Sequence, residues 1–500
     1  MAKLGRADAA GLLVLGRVLS SAAEAVSPLV MVRVLAKDQL GVLGAFLLLH
    51  ATIAMAASAG SDRAILYFLA DRSDADRRAT ARAIGRLQAF AGLIGGCGLA
   101  IWAALQAYGF TAFGGEGVSS ARVGLLALYV CFDVPTRLLP NLLIAEERAK
   151  AAAAMQVFRS IGMVSATMLP AVLGFGVDGV LIALAGFAAL HLVVTAAWHR
   201  ALFASAPADG TAPTLRTLLG FALPLTANDM VGWLNAALDR YLIMWAFPPA
   251  RFAEYRAGAW QIPILTTIPY SIGTVDTPLY TKLCNEGRGA EAIALWRATI
   301  GKTSLIVVPV AVTFAFGAER FVRIAFTAEY EAAADVFRWY CLVTMLRVAA
   351  FGPLLVGAGK PGHILRATLF SVLSNVMLSI PCLWLFGFEG PAIGTFLAVF
   401  PTYWVWSFFV ADVTGVRVRE TFPWRGVLLV VACAALPGAA AFWLASVGGW
   451  SDAVGLAVIS VGTVGGFAAI GSAAGLIGRD DWRFVGRWIA MRALRRDAAR

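Results

Sequence analysis

Residues Gly179–Trp198 read GVLIALAGFAALHLVVTAAW, twenty residues without a charge. A helix rises about 1.5 Å per residue, so this stretch alone reaches across the ~30 Å hydrocarbon core of a bilayer. It is apolar on every face. A helix at a protein–water surface would keep a polar face.

Comparable stretches run outward from it in both directions. Before it lie Ala10–Val32, Leu40–Leu69, Leu87–Tyr108, Val123–Ala145 and Val157–Phe175. After it come Leu218–Phe247, Ala257–Val275, Thr303–Phe316, Tyr340–Gly357, Ala367–Phe386, Pro391–Ala411, Gly426–Val447 and Ala453–Ile477. Thr303–Phe316 is short by the twenty-residue ruler and starts earlier than its apolar run. The boundaries at Gly174–Asp178 and Gly387–Pro391 are tight turns containing glycine. The fold class is therefore an all-α polytopic membrane protein with about fourteen spans. Composition agrees: the 500-residue chain is 60% hydrophobic and 14% charged, against roughly 25% charged residues in soluble domains. No cleavable signal is expected, because Arg17 and Glu24 interrupt the first apolar stretch and it is retained as a span.

The net charge is +11. Nucleic acid is one reading of such a charge, but its distribution gives another. With the N-terminus in the cytoplasm, about 27 of the Lys and Arg fall on cytoplasmic segments and about 8 on periplasmic ones. Arg72, Arg77, Arg78, Arg82 and Arg86 share one cytoplasmic loop. The basic balance thus reports topology: an inner-membrane protein with both termini in the cytoplasm and no nucleic-acid partner. In the tail, Trp482, Val485, Trp488 and Ile489 recur at helical spacing among arginines. That pattern suits an interfacial helix on anionic lipid, or a basic tail that only enforces topology.

The six cysteines and four histidines show no metal-ligand spacing, so no metal or cofactor is expected. No GxxxxGK[ST] loop follows a strand, which leaves no nucleotide-driven pump in the chain. A faint repeat relates Val34–Gly41, which links the first two spans, to Ala246–Ala253, which links the seventh and eighth. Two related six-helix bundles would place a cavity at their interface.

A set of short motifs extends this reading. It comprises Phe221-Ala222-Leu223-Pro224-Leu225, Leu238-Asp239-Arg240-Tyr241, Glu254-Tyr255, Thr277-Pro278-Leu279-Tyr280 and Asn285-Glu286-Gly287-Arg288. Gly357-Ala358-Gly359-Lys360-Pro361, Gly387–Gly394 and, earlier, Gly60-Ser61-Asp62-Arg63 complete it. In order and spacing the chain resembles polysaccharide-biosynthesis flippases over about residues 10–415. These are the Wzx-type branch of the multidrug/oligosaccharidyl-lipid/polysaccharide exporter superfamily. Ala253 departs from the glycine common before that tyrosine.

The resemblance implies a six-helix lobe over 1–205, a second over 206–415, two added transmembrane helices over 416–478 and a basic amphipathic tail over 479–500. It implies alternating access and a polyprenyl-diphosphate-linked oligosaccharide as substrate, carried for exopolysaccharide or O-antigen synthesis. Membrane lipid and a polysaccharide polymerase or export machinery are the partners it implies.

Ionisable groups inside spans are costly and mark function. Arginine suits a diphosphate because its planar fork donates to two oxygens at once and stays charged. Arg17, Arg63 and Arg137 fall at one depth on the cytoplasmic side, roughly 10–12 Å in. Arg347 lies near mid-span, and Arg240 lies far into a long span. These five are the candidate substrate-binding residues. Glu24, Asp133 and Asp229 are candidates for coupling or for charge pairing. Asp133 and Arg137 lie four apart and also suit simple neutralisation on one face. Arg159 reads as an anchor near a cytoplasmic end, and Asn228, Asn235, Gln261 and Asn375 as sugar contacts or helix glue.

Two rivals stand against a flippase. A drug or cation antiporter of the same superfamily would use about twelve spans and few cationic cavity residues, whereas five arginines well inside spans argue for an anionic substrate. A membrane glycosyltransferase or polymerase would need a larger periplasmic loop with paired carboxylates. No enzymatic activity is expected. A reporter fused after Arg500 should be active only in its cytoplasmic form; periplasmic activity there would overturn the topology.

Overall fold

The computed structural model describes residues 16, 20, 23–24, 26–58, 60–70, 72–107, 118–207 and 209–478. The expected tail helix over 479–500 and most of the first expected span lie outside the described residues. Within them the chain is helical, without strands, and ten segments are long and apolar enough to cross a membrane. One of the ten is a hairpin, Pro361–Thr414. The protein is an all-α, multi-pass membrane protein. It separates into two compact units, Met1–Arg256 and Ala257–Arg500.

In the first unit, residues 26–34 are helical. They are followed by α1 (Lys37–Ser58), α2 (Ser61–Phe68), α3 (Asp74–Ala107), α4 (Ser120–Asp133), α5 (Leu139–Ala145), α6 (Ala149–Val172), α7 (Gly176–Leu202) and α8 (Leu215–Ala246). A short helix, α9 (Pro249–Gly258), closes the unit. Two expected spans are broken. Leu40–Leu69 divides at Gly60, whose φ of 58° is left-handed and whose missing Cβ would lie 2.8 Å from the Ala222 carbonyl oxygen. Only glycine meets both demands cheaply. Val123–Ala145 tightens into a 3-10 turn over Val134–Leu138, where Pro135 removes an N–H donor from the helical ladder.

The second unit holds α10 (Pro263–Asn285), α11 (Gly289–Phe316), α12 (Ala318–Phe326), α13 (Ala333–Leu346), α14 (Phe351–Gly357), α15 (Pro361–Phe386), α16 (Gly390–Thr414), α17 (Val418–Thr421), α18 (Trp424–Val447) and α19 (Asp452–Ala473). The span expected to start near Thr303 begins at Gly289. The span expected over Tyr340–Gly357 is divided between α13 and α14. A helix continued through Ala349 would set its carbonyl against the ring of Pro353 four residues on.

Helices α8 and α10 have 32 and 23 residues, ample for a crossing, yet fall outside the ten apolar segments. Helix α8 carries Asn228, Asp229, Asn235, Asp239 and Arg240. Asp239 is 4% exposed, so it is buried within the protein and does not snorkel to an interface.

Between apolar helices in lipid, packing and hydrogen bonds take over from the hydrophobic effect. The α15–α16 hairpin shows both. A Cβ on Gly390 would meet the Cys382 carbonyl oxygen at 2.2 Å, and one on Gly394 would meet Ser379 Cα at 2.4 Å. At that crossing the buried Asn375 Oδ1 accepts from Ser379 Oγ at 2.8 Å and from Thr395 Oγ1 at 3.1 Å. Asn375 therefore glues helices. The α18–α19 hairpin closes on α11 and α12: Gly438 faces Phe316 and Val312, and Arg320 Nη2 donates to the Ala445 carbonyl at 2.9 Å. Replacing Gly394 by Val should cost about 1–3 kcal/mol through overpacking, seen as a lower thermal unfolding temperature in detergent. An unchanged transition would show that the two helices are not in this register.

Candidate functional site

The site grows from one carboxylate. Asp133 ends α4 just before the 3-10 turn and is 2% exposed. Thr136 Oγ1 donates to the Asp133 main-chain oxygen at 2.7 Å and so holds the turn. Arg137, on that turn, donates from Nε to Asp133 Oδ2 at 3.2 Å. Arg159 reaches across from α6 and donates from Nη2 to Oδ1 at 2.7 Å. His50 of α1 brings Nε2 within 3.2 Å of Oδ2, and its ring stacks on Tyr129 at 3.9 Å between centroids. One carboxylate thus serves two guanidinium groups and leaves net positive charge in a buried place. The Arg159 Nε–H is buried without an acceptor.

Beside this cluster lies a cavity of about 620 Å³. Arg137, Arg159 and Arg256 line it together with Glu24, Asn141 and Gln156. Glu24 accepts from Ser160 Oγ at 2.8 Å. Arg256, near the end of α9, has no hydrogen bond or ion pair to any described residue. Gly44 leaves room for it, since a Cβ there would lie 2.9 Å from Arg256 Nη1. A guanidinium without a partner among the described residues, beside a polar cavity, is an incomplete anion site, because burial without a partner is costly. The cavity therefore offers fixed positive charge, free N–H donors and neutral amides to a ligand with several anionic oxygens and hydroxyls.

Of the residues expected from sequence, the structure brings Glu24, Asp133 and Arg137 together. The spacing of four between Asp133 and Arg137 gives the pairing it suggested. Arg17 lies outside the described residues, and so does the side chain of Arg63, whose backbone is in α2. Arg240 is elsewhere on α8, with its guanidinium 5.6 Å from the Trp233 ring centroid and Nη2 donating to the Ala236 carbonyl at 2.9 Å. Asp229 is half-buried on the same helix and does not line the cavity. Arg347 belongs to the second unit. It caps α13 at the break before α14 and is exposed, instead of lying mid-helix as the unbroken span implied.

Two cavity residues were missed. Arg159 was assigned to a cytoplasmic end because its span was started at Val157. Helix α6 starts at Ala149, which sets Arg159 about ten residues or roughly 15 Å along it. Extending the helix back to the Glu146–Arg148 turn was the available signal. Arg256 falls between the expected spans Leu218–Phe247 and Ala257–Val275. The run Pro249–Gly258, with proline at its start and glycine at its end, carries the signature of a short helix.

Fold and site define a multi-pass membrane protein built around a polar cavity with excess arginine. The chain belongs to the polysaccharide biosynthesis protein family, whose model matches residues 30–335. A curated relative, the "Probable low-salt glycan biosynthesis flippase Agl15" of Haloferax volcanii, is 20% identical over 276 residues. That match covers 55% of this chain and only 57% of the relative. Among solved structures, "Lipid II flippase MurJ, inward closed conformation" superposes with a TM-score of 0.66 at 13% identity, covering 91% of this chain and 98% of the other. An inward-facing multidrug resistance MATE family transporter of the MOP superfamily gives 0.55 at 14%, covering 80% and 95%. These likenesses show the fold.

Removing the Asp133 charge should strand two guanidinium groups. Asp133→Asn is expected to lose about 3–5 kcal/mol of stability, and Arg137→Gln distinctly less, because Arg137 is 25% exposed. Unfolding of the two purified variants checks the order, and a smaller loss for Asp133→Asn would contradict the shared-carboxylate picture.

Proposed function

We propose that this protein is a flippase that moves a polyprenyl-diphosphate-linked oligosaccharide from the cytoplasmic to the periplasmic leaflet of the inner membrane. The glycan serves exopolysaccharide or O-antigen synthesis, and a polysaccharide polymerase or export machinery receives it. The observation that carries this reading is the cavity charge: Arg137 and Arg159 share the one carboxylate of Asp133, and Arg256 and the Arg159 Nε–H have no partner among the described residues. A diphosphate supplies the missing acceptors, and Asn141 and Gln156 supply amides for sugar hydroxyls. Family membership and the glycan-flippase relative support the same substrate class.

In this reading Arg137, Arg159 and Arg256 bind the headgroup, and Arg17 and Arg63 share that role. Arg240 and Arg347 take part as the cavity reopens, and Glu24, Asp133 and Asp229 balance charge or couple an ion. The lobes span 1–205 and 206–415, with 416–478 as two additional transmembrane helices outside them. The fold equally suits a multidrug antiporter, but a cationic drug would meet net positive charge in this cavity.

Arg159→Gln and Arg256→Gln should each lower glycan delivery about tenfold or more at normal protein abundance, the scale of a lost charge-assisted hydrogen bond. Lysine at either place should restore part of it. Mass spectrometry of lipids co-purified with the protein should find a polyprenyl-diphosphate sugar in the parent and a depleted amount in the Gln variants. Normal delivery by both variants would overturn the site.

A further inference from the structure

The Arg256 guanidinium owes its place in the cavity to a short helix with little continuous backbone to steady it. Helix α9 has ten residues. The extended Phe247 separates it from α8, and a non-helical stretch over 259–262 separates it from α10. Neither neighbour passes its rotation on through an unbroken hydrogen-bonded ladder, so the orientation of α9 is set by what it touches. Phe252, Ala253 and Tyr255 are buried, but directional polar contacts define an angle and a register more sharply than apolar ones.

Two contacts with α1 settle it. The first is steric. A Cβ on Gly41 would lie 1.9 Å from the Pro249 carbonyl oxygen, and one on Gly44 would lie 3.2 Å from the Phe252 ring and 2.9 Å from Arg256 Nη1. Gly41 and Gly44 share one face of α1, so α9 sits in a seat without side chains. The second contact is ionic. Lys37, one turn before Gly41 on that face, places Nζ 2.8 Å from Glu254 Oε1. Arg251 Nη1 donates to the other carboxylate oxygen at 2.6 Å. Glu254 is 6% exposed, whereas Lys37 and Arg251 both keep contact with water. Two cations that water can satisfy thus converge on one carboxylate that is nearly buried. That carboxylate fixes how α9 is turned on its seat, and Arg256 follows Glu254 by two residues.

We propose that Glu254 is a positioning residue for the cavity: by gripping Lys37 and Arg251 it locks α9 on the Gly41–Gly44 seat and thereby fixes where the Arg256 guanidinium meets an anionic headgroup. A binding site works only when its donors are held to about half an ångström. Arg137 and Arg159 are held by Asp133, but Arg256 has no acceptor among the described residues. Its precision comes from the helix that carries it. Gly44 serves the same end, because a side chain there would push the guanidinium aside. The inference rests on the substrate reading for the headgroup, and on the contacts alone for the placement of Arg256.

The test is a double-mutant cycle on the purified protein, with polyprenyl diphosphate as the probe. Glu254→Gln should weaken binding about fivefold, the scale of one ion pair. Gly44→Ala, which leaves every charge in place, should weaken it as well. In an Arg256→Gln background neither change should alter binding by more than about twofold, because a residue that acts through Arg256 has nothing left to act on. A merely structural role would add its loss in both backgrounds. Modification of Arg256 by an arginine-specific dicarbonyl reagent, read by peptide mass spectrometry, should quicken in Glu254→Gln while that of Arg320 does not change. Three results would overturn the proposal: parent-level binding in Glu254→Gln where Arg256→Gln weakens it, an equal loss in both backgrounds, or an unchanged rate of Arg256 modification. If that modification quickens in Glu254→Gln yet Arg256→Gln itself binds the probe normally, Glu254 positions Arg256 and the substrate reading is what fails.

Discussion

A carboxylate in a nearly dry place can stay ionised only if cations come to it, and Asp133 organises the first unit on that basis. It draws Arg137 from its own chain segment and Arg159 from α6, and it stands against His50 of α1. Two segments are tied at one point by charge and a third packs against it, where apolar packing between lipid-bathed helices would be indifferent to register. The same economy of one anion among several cations leaves the cavity positive. Stability and ligand preference therefore share a cause: the group that holds the helices together is too small a counter-charge to silence the arginines it holds.

Proline and glycine position this arrangement. Pro135 turns the end of α4 into a 3-10 segment and Gly60 swings α2 away from α1. Breaks in spanning helices are tolerated where the freed backbone groups find partners inside the protein. Here the Asp133 carbonyl accepts from Thr136 at such a break. Irregular backbone and ionisable side chains thus occur together, the former making room for the latter.

Most of the spans were legible in the sequence because lipid imposes one rule on all of them: length without charge. The tight turns at Gly174–Gly176 and Gly387 were legible for the same reason, since the apolar runs left no residues for a loop. Breaks inside a run were not legible, because Gly60 and Pro353 alter backbone direction without altering hydropathy. In the site, the Asp133–Arg137 pair could be read from a spacing of four along one segment. The Asp133–Arg159 pair could not, since it joins α4 to α6 and depends on where α6 begins. Arg256 was hidden differently: a helix of ten residues is too short for periodicity to distinguish it from a connecting loop.

The way Arg320 fastens the last hairpin bears on how the chain is made. Its guanidinium donates to the carbonyls of Ala445, Trp450 and Ser451 and lies 3.9 Å from Asp452, while Gly438 seats α18 against Phe316 and Val312. All of those partners are synthesised more than a hundred residues after Arg320. As the ribosome elongates the chain, α11 and α12 enter the membrane with one side uncovered and a guanidinium unsatisfied, and they remain so until α18 and α19 follow. The packing of α11 and α12 is therefore completed only by helices that follow them in the chain by more than a hundred residues.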